Sequence, residues 1–309
     1  MFNTIKKRYA RFFIVMNYNK SFVPFSLCCG GRLIRYERPA VMGILNATPD
    51  SFYDGGRYID ERQWIDRAIA MHEEGADIID IGVVSTRPGA TLLDANEEAK
   101  RLAAVVSVVR RELSEAVISV DTCYSLPAHA AVNAGADIIN DISGGAFDEQ
   151  MFDTVARLGT PYILMHNPLG STSDPAGVVG RREYTGKYDV MEDMVLRLSE
   201  LNARLREKGV RDVIIDPGFG FSKTLDENYE VMSHLGELRQ LYPENPLLVA
   251  LSRKSMIYKL LNTTPDDALT GTIALHSAAL LAGAQLLRVH DVRAARQTID
   301  VINFFYGHA

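Results

Sequence analysis

One short phrase recurs three times in this chain, and it constrains the fold more than any other feature of the sequence. The copies are EEGADIIDIG at 73–82, NAGADIINDI at 133–142 and, in looser form, LAGAQLLRVH at 281–290. In each copy a glycine follows a helical pattern, and a small residue then leads into an apolar run. Glycine just after a helix, followed at once by a strand, is typical of αβ units. The repeats therefore mark junctions where a helix ends and a strand begins.

Apolar runs like those in the repeats predict eight strands, and helical patterns separate most of them. The strands are expected at 41–46, 77–82, 117–121, 137–141, 162–166, 213–216, 247–252 and 286–290. Longer helical patterns lie, for example, at 61–74, 95–113, 190–208 and 226–241. Alternating strands and helices imply a parallel sheet with right-handed crossovers. Eight such units predict an α/β fold, a single (β/α)8 TIM barrel, and a doubly wound open sheet is the alternative.

The N-terminal part differs in charge from the rest of the chain. Residues 1–38 carry eight Lys and Arg against one acidic residue, although the whole chain has a net charge of −6. We interpret residues 1–22 as a short basic extension that is mobile or dispensable. Residues 23–38 are expected to form a hairpin that turns at Gly30-Gly31 and covers the bottom of the barrel. Since no linker rich in Pro, Gly or Ser divides the remainder, residues 23–309 are expected to form one barrel domain.

Composition argues against several classes of protein. No window approaches 18 consecutive apolar residues, so the sequence predicts no membrane span or membrane partner. Three cysteines, Cys28, Cys29 and Cys123, are too few for a disulfide framework and lack the spacing of a zinc site. We therefore expect free thiols and a cytoplasmic protein. The basic extension alone is a weak signal, and we expect no nucleic-acid partner.

Polar residues lie at or near the carboxyl ends of seven predicted strands. They are Asn46, Asp80, Asp121, Asn140, His166, Asp216 and His290, and the remaining strand leads into Ser252-Arg253-Lys254-Ser255. In a parallel barrel these ends open on one face, where the active sites of barrel enzymes lie. Asp and Asn within apolar runs are costly to bury unless they have partners. We therefore interpret these residues as a convergent site rather than as the starts of loops.

The chemistry of this set suggests the kind of ligand. Carboxylate and amide groups of Asp121, Asn140 and Asp216 suit a planar heterocycle with ring N–H and amino groups. Later strands supply Lys254, Arg288 and His290, which we expect on the other side of the mouth, where barrels commonly bind phosphate. The residues therefore predict a nitrogen-rich planar ligand that carries a phosphate-like group.

Three segments after strands have the composition of loops that could cover or line this face. NATPDSFYDGGRY (46–58) and STRPGA (85–90) are interpreted as two mobile loops. DPGFGFSKT (216–224) lacks the spacing of a nucleotide phosphate loop, so its glycines more simply let Phe219 or Phe221 project into the mouth. No His/Asp cluster has the spacing of a transition-metal site. A Mg²⁺ ion held mainly by substrate phosphates, with Asn46 as a protein ligand, is compatible with the sequence.

Eight ordered segments together resemble the dihydropteroate synthase family of pterin-binding barrels. They are GILNATPDSFYDGG, STRPGA, ISVDT, IINDISGG, LMH, DPGFGFSK, SRKS and RVHD, within roughly residues 26–303. The resemblance implies a transferase of folate biosynthesis that condenses 4-aminobenzoate with 6-hydroxymethyl-7,8-dihydropterin diphosphate. The products would be 7,8-dihydropteroate and diphosphate. It also implies Mg²⁺ as the cofactor and a homodimer as the assembly.

The resemblance further implies a role for each matching residue. The pterin diphosphate would contact Thr86, Asp121, Asn140, Asp216, Lys254, Arg288 and His290, the last two through the diphosphate. The 4-aminobenzoate would contact Arg87, Phe221, Lys254 and Ser255. Mg²⁺ would lie near Asn46, and the residues central to catalysis would be Asp121, Lys254 and Arg288. Within SRKS, Lys254 would point to the ligand and Arg253 outward to solvent or an ion pair.

The sequence departs from the family pattern at two places, and two other functions stay open. Val83-Val84 stands where many members have Gly-Glu before STRPG, which would change how that loop docks. The stretch 167–186 also departs from the usual pattern after His166. A methyltetrahydrofolate:corrinoid methyltransferase would share the ring-binding residues but would need neither STRPG nor the SRKS and RVHD segments. A non-catalytic pterin-binding protein is the other alternative.

Overall fold

A closed parallel barrel forms the centre of the computed structural model, which describes residues 22–47, 57–84, 93–168 and 188–307. The barrel strands are β3 (Ala40–Asn46), β4 (Ile78–Gly82), β5 (Val117–Asp121), β6 (Ile138–Asp141), β7 (Tyr162–Met165), β8 (Val213–Asp216), β9 (Leu248–Val249) and β10 (Leu286–Val289). Strands β3 to β8 pair in chain order, β9 pairs with β10, and β10 returns to pair with β3. A bridge between Ile215 and Leu247 closes the ring. The predicted (β/α)8 barrel is confirmed, and the open sheet is wrong.

Helices surround the barrel. They are α1 (Arg57–Glu73), α2 (Ala95–Glu112), α3 (Ser125–Asn133), α4 (Met151–Leu158), α5 (Val190–Glu207), α6 (Leu225–Ser233), α7 (Leu235–Leu241), α8 (Ser255–Tyr258), α9 (Leu269–Leu281) and α10 (Val292–Gly307). The single helix expected at 226–241 is divided, because His234 leaves the helical region at φ −102° and ψ 11°. Among the described residues, no helix is both long and apolar enough to cross a bilayer.

The predicted hairpin precedes the barrel and consists of β1 (Phe25–Cys29) and β2 (Arg32–Tyr36), which pair antiparallel. Gly30 and Gly31 form its turn with φ of +56° and +78°, a region that favours glycine. The backbone N–H of Cys28 donates to Asp212, which lies just ahead of β8 at the amino end of the barrel. The hairpin therefore covers the bottom face, as predicted. The basic extension lies outside the described residues, apart from Phe22.

Apolar side chains from the hairpin and from every barrel strand fill the bottom of the barrel. The hairpin contributes Phe25, Leu27, Cys29 and Tyr36, and the strands contribute Ala40, Met42, Ile78, Val117, Ile138, Ile163, Ile214, Leu248 and Leu286. A larger cluster packs the outer faces of the strands against the helices. Because the lower interior is packed and capped, the barrel is open at the carboxyl ends of its strands.

The recurring sequence phrase has one structural explanation. The polar residue two positions after each glycine accepts a hydrogen bond from a backbone N–H within one residue of the start of a neighbouring strand. Asp77 accepts from Val41 at 2.8 Å and Asp137 accepts from Ile118 at 2.9 Å. Gln285 takes the same place in the third copy and accepts from Leu247 at 3.2 Å. Each repeat thus ties the beginning of one strand to the next.

An arginine from a neighbouring helix completes two of these junctions. Arg110 donates to Asp137 at 2.6 Å and to the carbonyl of Gly135 at 2.8 Å. Arg296 donates in the same way to Asp77 and to the carbonyl of Gly75. The carboxylates are satisfied by both a backbone N–H and a guanidinium, which makes their burial tolerable.

Replacing Arg110 by methionine is expected to lower the free energy of unfolding by about 3 kcal/mol, because it leaves the Asp137 carboxylate buried without its cation. Urea denaturation measures the change. The matched control is Arg111→Met, since Arg111 is the next residue on α2 and pairs with Glu61 and Glu112 at the surface. That control should change the free energy by less than about 0.5 kcal/mol. Equal effects of the two substitutions would contradict the proposed importance of the junction.

Candidate active site

The polar residues expected to converge do come from adjacent strand ends. Asp121 ends β5 and lies opposite Asn140 of β6, while Asp216 ends β8. Arg288 lies on β10, which is next to β3 in the closed ring. Closure of the barrel therefore brings residues far apart in sequence to one mouth, the face at the carboxyl ends of the strands.

Arg288 is the centre of a network of charged side chains in this mouth. Its Nε donates to Oδ2 of Asp80 at 2.7 Å, and its Nη2 donates to Oδ2 of Asp121 at 2.7 Å. Nδ2 of Asn140 donates to the same oxygen of Asp80 at 3.2 Å. Asp80 is completely buried, and its Oδ1 has no hydrogen-bond partner among the described residues. One cation thus joins two carboxylates, next to an amide and an acceptor that is still unsatisfied.

This geometry corrects one expectation. Arg288 was placed on the far side of the mouth from Asp121, but its guanidinium contacts that carboxylate directly. The physical reason is that only β3 and β4 separate β10 from β5 around the ring, and an arginine side chain spans that distance. The sequence places Asp80 in the convergent site but assigns it no ligand or partner. The signal available in the sequence is the aspartate inside the apolar run IIDIG.

The network shifts the acidity of its members. Burial raises the pKa of Asp121 to about 7, while Arg288 opposes the rise and Asp80 adds to it. Burial disfavours the charged form of Arg288, but Asp80 and Asp121 outweigh it and raise the pKa above its ordinary value. The site therefore keeps a permanent cation beside a carboxyl group that titrates near neutral pH.

A second group of residues lies at the loops after β8 and β9. Oδ1 of Asp216 accepts from the N–H of Gly218 at 2.7 Å, and burial raises the pKa of Asp216 although the Lys254 ammonium opposes it. Nζ of Lys254 donates to the carbonyl of Phe219 and lies 4.4 Å from the centre of the Phe221 ring. Burial lowers the pKa of Lys254 to about 8. Of the two phenylalanines, Phe221 reaches the mouth, whereas Phe219 is fully buried in the core.

Arg253 and Lys254 point in different directions, as the sequence predicted. Arg253 adopts a left-handed backbone with φ of +54° and forms an ion pair with Asp291 at 2.7 Å. Lys254 contacts the mouth, and Asp216, Arg288 and Asp121 all influence its pKa. The turn between β9 and α8 therefore separates a cation held in an ion pair from one that faces the mouth.

The remaining site residues predicted from the sequence differ in where they lie and in how exposed they are. The Asn46 side chain is exposed at the end of β3, and Ser255 begins α8 and is partly exposed. His290 Nδ1 lies 3.1 Å from Oγ of Ser252, and burial lowers the pKa of His290 to about 4. Thr86 and Arg87 lie outside the described residues, as do most of the two loops expected to cover the mouth.

Some residues near the strand ends were assigned no role or the wrong surroundings. Nε2 of His166 lies 3.0 Å from Asp193 of α5, so this side chain pairs with a helix instead of joining the mouth residues. Glu98 of α2 is buried and accepts from Oγ1 of Thr122, and burial raises the pKa of Glu98 to about 7.

Val83 is buried in the core, so the position that differs from the family pattern is firmly packed. In the described ranges no three His, Cys, Asp or Glu residues form a cluster that could hold a metal.

Comparisons with known proteins agree with this site. The family described as pterin binding enzyme matches residues 42–290. A dihydropteroate synthase from Streptococcus pyogenes serotype M18 is 37% identical over 277 residues, which cover 88% of this chain and 98% of the relative. The chain belongs to the dihydropteroate synthase family.

Solved structures of the family extend the comparison to the fold. A dihydropteroate synthase from Xanthomonas albilineans with 4-aminobenzoic acid is 36% identical, with a TM-score of 0.79 over 93% of this chain and 98% of its own. The Coxiella burnetii dihydropteroate synthase in complex with pteroic acid is 33% identical, with a TM-score of 0.78 over 92% and 100%. As a dihydropteroate synthase, the chain is a transferase of folate biosynthesis, and the family and activity expected from the sequence are confirmed.

Proposed function

We propose that the mouth residues bind the pterin ring of 6-hydroxymethyl-7,8-dihydropterin diphosphate and join it to 4-aminobenzoate with release of diphosphate. The observation that carries this assignment is the contact of Arg288 with Asp80 and Asp121, next to Asn140. It provides carboxylate and amide groups for a flat ring with N–H donors, and a cation beside them. Asp216 and Lys254 bound the same space from the loops after β8 and β9.

The order of bond changes follows from the charges. The bond between the pterin methylene carbon and the diphosphate oxygen breaks, and its electron pair leaves with diphosphate. The positive charge left on the carbon is delocalised over the pterin and is stabilised by the carboxylates of Asp121 and Asp216. The amine of 4-aminobenzoate then forms the new C–N bond and loses a proton. Its nitrogen needs positioning more than activation, because the carbon it attacks is already electron-poor.

Arg288 and His290 are proposed to hold the diphosphate. Arg288 uses its Nε and Nη2 groups for Asp80 and Asp121, so Nη1 is the group that would donate to the leaving anion. With its pKa lowered, His290 is neutral at pH 7 and offers a ring N–H without adding charge.

Mg²⁺ fits the residues as a substrate-borne ion. Asn46 presents an exposed amide at the end of β3, which is an oxygen donor suited to a hard cation. The described residues offer no carboxylate cluster for a metal, which agrees with an ion bound chiefly by the diphosphate oxygens. When bound, the ion would neutralise charge that develops on the leaving group.

The 4-aminobenzoate is proposed to lie over Phe221, with Lys254 and Ser255 beside it. Phe221 offers an aromatic face, and the Lys254 ammonium above that face offers a cation. Thr86 and Arg87, from the loop after β4, stay predictions for the pterin diphosphate and the 4-aminobenzoate respectively. The resulting arrangement places the pterin at the buried carboxylates and the second substrate nearer to the exposed rim.

The direct test is release of diphosphate by purified protein with Mg²⁺, pterin diphosphate and 4-aminobenzoate. We expect release and dihydropteroate formation to depend on all three. Methyl transfer from methyltetrahydrofolate to a corrinoid, without this reaction, would support the methyltransferase alternative. Binding of pterin diphosphate in calorimetry without turnover would support a non-catalytic pterin-binding protein.

A pH dependence follows from the raised pKa of Asp121. The charge that develops on the pterin requires the ionised carboxylate, and Asp121 is neutral below its pKa of about 7. The ratio kcat/KM for pterin diphosphate is therefore expected to fall as the pH drops below about 7. Steady-state rates between pH 5.5 and 8 measure this limb, on the order of tenfold per pH unit at its lower end. In Asp121→Asn, the residual kcat/KM should lose this dependence, and an unchanged dependence would assign it to another group.

We further propose that the chain assembles as a homodimer. Exposed apolar side chains on α9, on α10 and between α8 and α9 support a homodimer, namely Leu260, Leu261, Ile273 and Val301. Sedimentation of the full chain would measure the oligomeric state. A cytoplasmic location, and the division into a 1–22 extension and a 23–309 domain, stay predictions.

A further inference from the structure

Lys223 makes an unusual set of contacts beside the site. Its Nζ donates to the backbone carbonyls of Gly218 at 2.8 Å, His166 at 3.3 Å and Phe221 at 3.4 Å. An ammonium has three N–H donors, so these carbonyls account for all of them. Two of the acceptors belong to the loop after β8, and the third belongs to the end of β7. Lys223 therefore joins two neighbouring segments through their backbones.

The two segments approach each other as closely as backbone allows. Gly218 has φ of +68°, and a Cβ atom placed on it would lie 2.2 Å from the carbonyl oxygen of His166. Both carbonyl oxygens lie within reach of the same Nζ, and such oxygens repel each other electrostatically. A cation between them converts this repulsion into attraction. The junction depends on glycine for space and on Lys223 for charge.

This junction holds two groups of the mouth in place, the Asp216 carboxylate and the Phe221 ring. The N–H of Gly218 fixes Oδ1 of Asp216, and the Phe221 ring lies under Nζ of Lys254. Phe221 is itself held through its carbonyl by Lys223. The backbone just after Phe221 is further constrained by Ser222, which adopts a left-handed φ of +52°. Any movement of the junction would therefore be transmitted first to the aromatic ring.

The charge of Lys223 is sensitive to its surroundings. Burial lowers the pKa of Lys223 to about 7; Asp216, Glu227 and Asp193 oppose this and Lys254 reinforces it. A neutral amine keeps only two N–H donors and no charge to offset three carbonyls. The observed contacts therefore select the protonated form.

We infer that Lys223 is a positioning residue for 4-aminobenzoate, holding the loop after β8 against the end of β7 so that Phe221 is correctly placed. The inference rests on the proposed function, because it assigns Phe221 to the subsite for that substrate. Lys223 touches neither substrate and acts through the loop. The pterin is affected less, since Asp216 is the one proposed pterin contact tied to this loop, whereas Asp121 and Asn140 lie on other strands.

Steady-state kinetics of Lys223→Met test this role. We expect the KM for 4-aminobenzoate to rise about tenfold, roughly the effect of losing one charge-assisted hydrogen bond, with a much smaller change in the KM for pterin diphosphate. The matched control is Lys208→Met, whose Nζ pairs with Asp153 at the surface, and which should change neither KM. A purely structural defect would lower kcat in proportion to the folded fraction and leave both KM values unchanged. Either that pattern or an unchanged KM in a folded variant would overturn the inference.

Lys223→Arg provides an independent arm, needed if the methionine variant fails to fold. In the parent protein kcat/KM for 4-aminobenzoate should decline above about pH 7 as Lys223 loses its proton. Arginine keeps its charge, so the decline should move to higher pH, towards the range where Lys254 titrates. A decline at the same pH in both proteins would overturn the inference. An inactive parent would instead contradict the proposed function itself, so the two failures are distinguishable.

Discussion

Replacing Asp121 by asparagine is expected to lower kcat by a factor on the order of 10²–10³, with the fold retained. The amide keeps the shape of the side chain and can still contact Arg288, which remains paired with Asp80. It removes the negative charge that faces the electron-poor pterin once diphosphate has left. The loss should therefore appear in the chemical step and less in the affinity for the ground-state substrate.

Single-turnover rates and calorimetric binding of pterin diphosphate separate these two effects. The matched control is Asp153→Asn, which removes an exposed carboxylate that pairs with Lys208. Its rate should be close to that of the parent, since surface ion pairs contribute little. If Asp121→Asn retained a rate within about threefold of the parent, the stabilising role assigned to this carboxylate would be wrong.

Replacing Lys254 by alanine is expected to weaken the binding of both substrates, by about 10- to 100-fold for each, while the chain still folds. Lys254 lies between the Asp216 carboxylate and the Phe221 ring, so one side chain borders both proposed subsites. Without it Asp216 loses its main opposing cation, and its pKa should rise further. A protonated Asp216 would no longer accept hydrogen bonds from the pterin through both oxygens.

Calorimetry with pterin diphosphate and the KM for 4-aminobenzoate measure the two losses. Lys259→Ala is the matched control, because Lys259 is an exposed lysine at the end of the same short helix, α8. Both affinities should be unchanged in that control. A Lys254→Ala protein with the affinities of the parent would remove Lys254 from both subsites.

The fold was predictable because its signals are local. Glycine junctions and apolar runs located the barrel strands to within about one residue, except β9. There the apolar run 247–252 is strand only at Leu248–Val249, because its later residues already form the turn that carries Lys254. The break at His234 in α6 and α7 was not predictable, since the helical pattern continues through it.

The site was predictable as a set of residues but not as a set of contacts. Asp121 and Arg288 are separated by 167 positions, and their contact exists only because the ring closes. The contacts of Asp80 were not predictable, because a single aspartate in a strand gives no sign of its partner. The contacts of Lys223 were not predictable, because its acceptors are backbone carbonyls, which no residue pattern displays. The glycines around it suggest only a comparison with phosphate loops.

The hairpin at the bottom of the barrel determines how substrates reach the active site. Because β1 and β2 close one end of the barrel, substrates and products pass through the mouth at the other end. Asn140 and Asp216 are buried inside the mouth, whereas Phe221 and Ser255 are partly exposed nearer its rim. With the subsites proposed above, we expect the pterin to bind before 4-aminobenzoate, because the second substrate would lie between the pterin subsite and the opening. The joined product, 7,8-dihydropteroate, then has to leave by the same opening.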